Sequence, residues 1–391
     1  MKRYHFDLVW ERRGTDSLKW GKYGNEILPL WIAEMDFPPA EEIRDSLHER
    51  LAHGIFGYAN AQPELYELIQ ERLFRLYRWE VQKEEICFIP TLVAGLNYAF
   101  QTFAKTGEGV LVQTPVYHHF VKDPLIHGRR LDVSPLVRKG DTYEIDFEDL
   151  ERQITDQTKI FLFCNPHNPV GRVFRIEEMR KIAEICLRRN LILCSDEIHA
   201  ELVYPGYQHI PMATLDPEMA QRTITLMSPT KAFNFPGVHF GFAIIPNKTL
   251  RRAWRRFSHG LNEGVNILGQ VAACAAYKYG QSWLDQVLLY LQENRDFLSG
   301  FVREKLPGIQ MTKAETTYLG WLDCRQAGIS GSPSDFFLNQ AEVALFDGKE
   351  FGLGGEGFLR FNFACPRRIL EMALHRMELS LNKNSFPPAV P

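Results

Sequence analysis

The chain has 391 residues, 45% hydrophobic and 24% charged, with a formal net charge of −3, which fits two domains or one large α/β unit with a smaller companion and gives no electrostatic footprint for nucleic acid or an anionic membrane. Its seven cysteines are scattered and form no C-x-x-C pair, which argues against a disulfide framework or a thiolate metal site and fits a reducing cytoplasm. Met1–Gly14 is charged throughout with no apolar signal core, and the apolar runs are too short to span a bilayer.

Residues 1–30 mix charges and aromatics without a period and read as an N-terminal arm. Pro38-Pro39 precede a helical stretch, Glu41–Leu51, for which Asp36 is the expected cap. A second helix is predicted over Pro63–Tyr77, where Leu65, Leu68, Ile69, Leu73 and Leu76 recur at helical spacing. Next comes a short apolar run, Ile86–Ile89, a turn at Pro90–Leu96 and a helical stretch at Leu96–Phe103. Strands are expected at Gly109–Gln113, Lys159–Cys164, Leu191–Ser195, Thr223–Met227 and Phe240–Ile245, with an amphipathic helix at Ile176–Arg189. Short apolar strands alternating with helices indicate a mostly parallel α/β sheet covered on both faces. A long amphipathic helix runs from Ser282 to about Lys305, and residues 306–380 carry strand and helix signals of their own. The expected division is an arm with part of a small domain (1–47), a large domain (48–285), a small C-terminal domain (286–385) and a disordered, proline-rich tail (386–391).

In such sheets ligands bind beyond the carboxyl ends of the strands, so the residues immediately after each strand are the first candidates for a site. The strand at 159–164 runs into Asn165-Pro166-His167-Asn168-Pro169-Val170-Gly171. The strand at 191–195 runs into Asp196-Glu197-Ile198-His199, and the strand at 223–227 into Ser228-Pro229-Thr230-Lys231. An amide, a carboxylate and an amine thus converge. Singly, Lys231 reads as a solvated lysine, Asp196 as a helix cap, Asn168 as a turn former and Tyr117 as packing; the ordered set is what points to a site. It matches the needs of pyridoxal phosphate. A lysine amine forms a Schiff base, a carboxylate keeps the pyridine nitrogen protonated, and an amide donor meets the ring's phenolic oxygen. Tyr117, after the strand at 109–113, is placed to stack on the ring. Backbone N–H groups of the 90–96 segment, Leu92 and Val93 among them, suit the phosphate at a helix start, with Thr91 and Ser228 as hydroxyl donors.

These motifs resemble the fold-type I pyridoxal-phosphate enzymes of the class I/II aminotransferase group. Asn168-Pro169-x-Gly171, Asp196-Glu197-Ile198-His199, Ser228-x-x-Lys231 and Gly357-x-x-Arg360 stand in the order and spacing of that group. Within it the chain is similar to the cystathionine β-lyase (MalY/PatB-type carbon–sulfur lyase) subgroup, through Phe6-Asp7, Glu11–Thr15, Lys19-Trp20, Trp31–Phe37, Phe56-Gly57-Tyr58 and Ala364–Arg367. The resemblance implies a seven-stranded, mostly parallel sheet with a smaller α+β domain from both termini. It implies Arg360 as the clamp for the substrate α-carboxylate, and a substrate near Ala33 and Asn168. It implies cofactor contacts from Lys231, Asp196, Asn168, Tyr117 and His199, and a homodimer in which Tyr58 reaches the other subunit's phosphate. Three positions depart from the pattern: His239 stands where many aminotransferases carry an arginine eight residues after the lysine, Glu34 where the subgroup has Asp, and Thr91 where it has glycine.

The implied reaction is α,β-elimination from an L-cysteine S-conjugate such as cystathionine, with Lys231, Asp196 and Tyr117 as the catalytic set and no metal. An aminotransferase would use the same residues. A regulator that keeps the fold and binds a transcription factor is the alternative from another class, and the intact Lys231, Asp196 and Arg360 argue against a purely non-catalytic role.

Overall fold

The structure, a computed structural model, describes residues 2–262 and 264–385. The expected tail at 386–391 lies outside the described residues.

The large sheet has seven strands: β1 (Ile86–Ile89), β2 (Gly109–Val112), β3 (Arg130–Val133), β4 (Thr158–Cys164), β5 (Ile192–Asp196), β6 (Thr223–Met227) and β7 (Gly241–Ile244). Their order is β1-β7-β6-β5-β4-β2-β3, and every neighbouring pair is parallel except the two that involve β7. β4 illustrates why the central strands are apolar throughout. Phe161 and Phe163 enter a core with Met179 and Ile182, while Ile160 and Leu162 enter a second core with Leu96 and Phe100. Alternate side chains therefore serve helices on opposite faces. The edge strand β3 is not among the predicted strands. Its Arg-Leu-Asp-Val sequence places Asp132 against Arg130 and Thr158, and that polar pairing hides the strand from an apolar pattern.

Helix α1 (Glu41–Ala52) forms as expected, but its cap does not. Ala40 occupies the N-cap position with no side-chain bond, because Asp36 is buried and fully engaged by the arm. Helix α2 (Pro63–Tyr77) coincides with its prediction, proline at its first position. Helix α3 spans Leu92–Phe103, so residues read as a turn are its first turn. Helix α4 is Ile176–Arg188, and α5 is Ile267–Tyr279. Helix α6 (Gln281–Lys305) carries the chain to a second sheet of four antiparallel strands, β8 (Gln310–Met311), β9 (Leu319–Asp323), β10 (Phe346–Asp347) and β11 (Phe358–Asn362), ordered β8-β9-β11-β10. The arm joins this part of the molecule through Leu28–Pro29, which pairs in parallel with Val343–Ala344. Among the described residues no helix is long and apolar enough to cross a membrane.

Candidate active site

The carboxyl ends of β4, β5 and β6 open onto a cavity of about 490 Å³. Its wall holds Asn168, Asp196 and Lys231 from the three strand ends, Leu92 and Val93 from the start of α3, and Tyr117, His199, Ala33 and Arg360. The structure therefore brings together residues spread from position 33 to 360. Two candidates stand outside that wall. Ser228 donates its hydroxyl to the Phe240 carbonyl at 2.7 Å and receives the Thr230 N–H at 3.1 Å. Tyr58 is fully exposed and lines a separate surface hollow with Arg50, His53 and Gln270.

Lys231 Nζ donates to the Ala33 carbonyl at 2.5 Å. Burial, with the Arg360 charge adding to it, pushes its pKa down to about 8. Asp196 is the last residue of β5, where it accepts the Ile198 N–H at 3.1 Å. Burial, with Glu197 adding to it and Lys231 opposing, pushes its carboxyl up to about 7. A buried carboxylate without a cationic partner is expensive, and it favours a proton or a positively charged neighbour. His199 is held neutral, its pKa pushed down to about 3 by burial and the nearby Lys231 and Arg360 charges. Tyr117 is pushed up to about 12 by burial, and its N–H meets the Asn168 carbonyl at 3.1 Å.

Arg360 sits in mid-β11, paired across to Trp321 and Phe346. Its guanidinium donates to Asn168 Oδ1 at 3.2 Å and to the Trp31 carbonyl at 2.9 Å, and lies 4.9 Å from the Phe346 ring centroid and 5.1 Å from that of Phe351. Burial lowers its pKa to about 10, which leaves it charged at neutral pH. Its Nε has no hydrogen-bond partner among the described residues.

At the start of α3, Thr91 caps the helix by accepting the Ala94 N–H at 3.1 Å, and the amides of Leu92 and Val93 are among the donors that every helix start leaves unpaired. His239, also on the cavity wall, adopts φ 54°, and its carbonyl lies where a Cβ on Gly269 would approach to 2.7 Å. The glycine is what lets this strained turn pack down on α5.

The opposite wall is the irregular segment 31–37, which sequence reasoning tied to the site only by resemblance. Asn362 Nδ2 donates to the Ile32 and Glu34 carbonyls at 2.6 and 2.7 Å, and Tyr318 donates to the Ala33 carbonyl at 3.2 Å. Asn234 receives the Met35 N–H at 3.0 Å and donates to the Met35 and Phe37 carbonyls at 3.0 and 2.6 Å. Below the segment lies a charge cluster. Asp36 accepts from Lys19 at 2.7 Å, Arg12 at 2.8 Å and the Trp20 indole at 2.9 Å, while Arg12 also meets Glu34 at 2.6 Å. Lys19 is completely buried. Arg12, Lys19 and Trp20 of the arm motifs are thus parts of one cluster that fixes the segment. Asn362 was findable, since it stands two residues after Arg360 on the same face of a strand. Asn234 and Tyr318 carry no signal in the sequence.

Residues 25–377 match the family model described as aminotransferase class I and II. The chain belongs to that family. It is 37% identical to cystathionine beta-lyase PatB of Bacillus subtilis, over 97% of this chain and 100% of the relative. Among solved structures, that of OvoB superposes with a TM-score of 0.93 at 41% identity, covering 97% of this chain and 99% of the other. The PLP-bound C-S lyase of Staphylococcus hominis superposes with a TM-score of 0.92 at 32% identity, covering 97% and 98%.

Proposed function

We propose that this protein is a pyridoxal-phosphate-dependent carbon–sulfur lyase that cleaves an L-cysteine S-conjugate of the cystathionine type to a thiol, pyruvate and ammonia. The observation that carries the reading is the convergence of Lys231, Asp196, Asn168 and Arg360 in one cavity, in a chain similar over nearly its full length to lyases of that kind.

The residues fit the cofactor. Lys231 is a buried amine that is partly unprotonated at neutral pH, as a nucleophile must be. Asp196 is a buried carboxylate in need of a positive partner, which a protonated ring nitrogen supplies. Leu92 and Val93 offer helix-start amides for the phosphate, and Tyr117 and His199 offer flat or neutral ring contacts. When bound, pyridoxal phosphate supplies an electron sink for the Cα of an amino acid. The chain does the rest. Arg360 holds the α-carboxylate, its fork backed by Asn168 and the Trp31 carbonyl. Lys231 Nζ takes the proton from Cα, and its contact with the Ala33 carbonyl sets where the amine rests. The thiolate leaves Cβ, and water then releases pyruvate and ammonia.

The working unit in this reading is a homodimer. Tyr58 stands exposed with Ile55 and Phe56 beside it, a surface suited to a second copy, whose phosphate Tyr58 would reach. The chain then divides into arm, large and small domains at 47/48 and 285/286.

The test is to supply L-cystathionine without a keto acid and to follow pyruvate, ammonia and free thiol. Release over many turnovers is expected. A single turnover that restarts only on adding a keto acid makes the protein an aminotransferase instead.

A further inference from the structure

Beyond Arg360 the cavity continues along an aromatic wall. His118 stacks on Phe346 with ring centroids 5.7 Å apart and planes at 16°, and Phe346 stacks on Trp31 at 6.1 Å and 27°. At the far end Lys22 Nζ lies 4.2 Å from the Trp31 centroid and 5.1 Å from that of Tyr23. Lys22, Trp31 and Phe346 also line a second cavity of about 300 Å³, so these three residues form a wall shared by the two hollows.

The charges there are not equivalent. Asp347 is met by Lys349 at 3.0 Å and by the Ser334 hydroxyl at 3.1 Å, and Glu350 is paired with Lys122. Asp335 is an exposed residue in the first turn of the helix Pro333–Ala341, where its charge complements the helix start. Among the described residues no carboxylate forms an ion pair with Lys22. It is a cation held over aromatic faces at the mouth of the site. His118 adds a ring whose Nδ1 is buried with no hydrogen-bond partner among the described residues, and burial, with His119, Arg360 and Lys122 nearby, keeps it neutral, its pKa pushed down to about 4.

We infer that Lys22 selects substrates whose leaving thiol carries an anionic group, with the His118–Phe346–Trp31 wall receiving the flat or apolar portion that joins it to sulfur. The inference rests on the lyase reading for its reaction and names the substrate class of the same site. Arg360 holds the α-carboxylate end in that reading, and the wall runs from Phe346, which touches Arg360, to Lys22; a substrate lying along it presents its far end to the cation.

The experiment uses two conjugates, S-phenyl-L-cysteine and its ring-carboxylated analogue, with wild-type holoenzyme, Lys22→Met and Lys22→Arg. The ratio of kcat/KM values for the two conjugates, compared between variants, cancels the intrinsic difference between the leaving thiols. Lys22→Met is expected to lower that ratio about fivefold, the scale of one partly exposed ion pair, with the neutral conjugate unaffected and Lys22→Arg restoring the preference. A ratio that does not move, or equal losses on both conjugates, overturns the inference. Dissociation constants for both conjugates are read from the cofactor absorbance. L-cystathionine without a keto acid, run alongside, tests the lyase reading separately; if it gives no sustained pyruvate and thiol, that reading fails, and the carboxylate-dependent difference in these constants between wild type and Lys22→Met still decides the role of Lys22.

Discussion

The two walls of the cavity are built on different principles. On the sheet side, Asp196 ends a strand and Asn168 and Lys231 follow strands whose backbones are locked in a parallel ladder and whose side chains are buried on both faces. On the other side, 31–37 has no ladder. Its carbonyls are gathered by Asn234, Asn362, Tyr318, Arg360 and Lys231, and its one buried carboxylate is held by the arm. The sheet wall is fixed by repetition, and removing one side chain there changes chemistry with little effect on shape. The segment wall is fixed by a few cross-links, and removing one changes shape.

Four substitutions sharpen that contrast. Lys231→Ala on the sheet side is expected to cost at least about 10³-fold in turnover, the scale of a lost nucleophile and proton carrier, while the urea midpoint stays close to wild type; a large drop in midpoint would erase the contrast. Asp36→Ala on the segment side leaves Lys19 buried without its counter-charge, which costs about 3–5 kcal/mol, and equilibrium unfolding of the variant should show it. Asn234→Ala strands the Met35 and Phe37 carbonyls and is expected to cost about 1–3 kcal/mol; the loss should come with a raised KM, since the segment carries Ala33. A variant that loses kcat alone would place Asn234 with the chemistry instead.

The fourth substitution tests a pH dependence. Asp196 keeps its proton up to about pH 7 in the folded chain, against 3.8 as its ordinary value. Its protonated form therefore supports the cofactor-free fold fully below that ordinary value, and the support is lost as the pH rises through 7. Asp196→Asn, which mimics the protonated form, should match wild type near pH 4, exceed it by a margin that widens as the pH rises toward 7, and hold that margin at pH 8. Urea titrations of cofactor-free protein at both pH values test this, and parallel profiles count against it.

The same contrast explains what was legible in the sequence. β4, β5 and β6 announce themselves as apolar runs, and the residues just past them are where a doubly wound sheet puts ligands. The edge strand β3, with Arg130 and Asp132 in alternation, gives no such run. Asp36 reads as a helix cap because the sequence does not disclose that Lys19 and Arg12, far from it along the chain, claim its oxygens. Tyr318 and Asn234 are set by how the smaller sheet and the 228–240 connection fold back on the arm, a long-range event with no local period. Lys22 and Phe346 meet across more than three hundred positions for the same reason.

One strand of the large sheet runs against the rest, and this has a mechanical consequence for the amine. β6 arrives at the ligand edge and β7 departs from it, the two bonded side by side, so the 228–240 connection begins and ends at that edge and is clasped across its base by the Ser228 hydroxyl on the Phe240 carbonyl. Lys231 thus rides on a closed arch with both feet on one ladder. After β4 and β2, by contrast, the chain leads on to a helix instead of turning straight back into the sheet. An arch with fixed feet cannot take up an added or deleted residue at its ends and must buckle within its span, which carries the lysine three residues past Ser228.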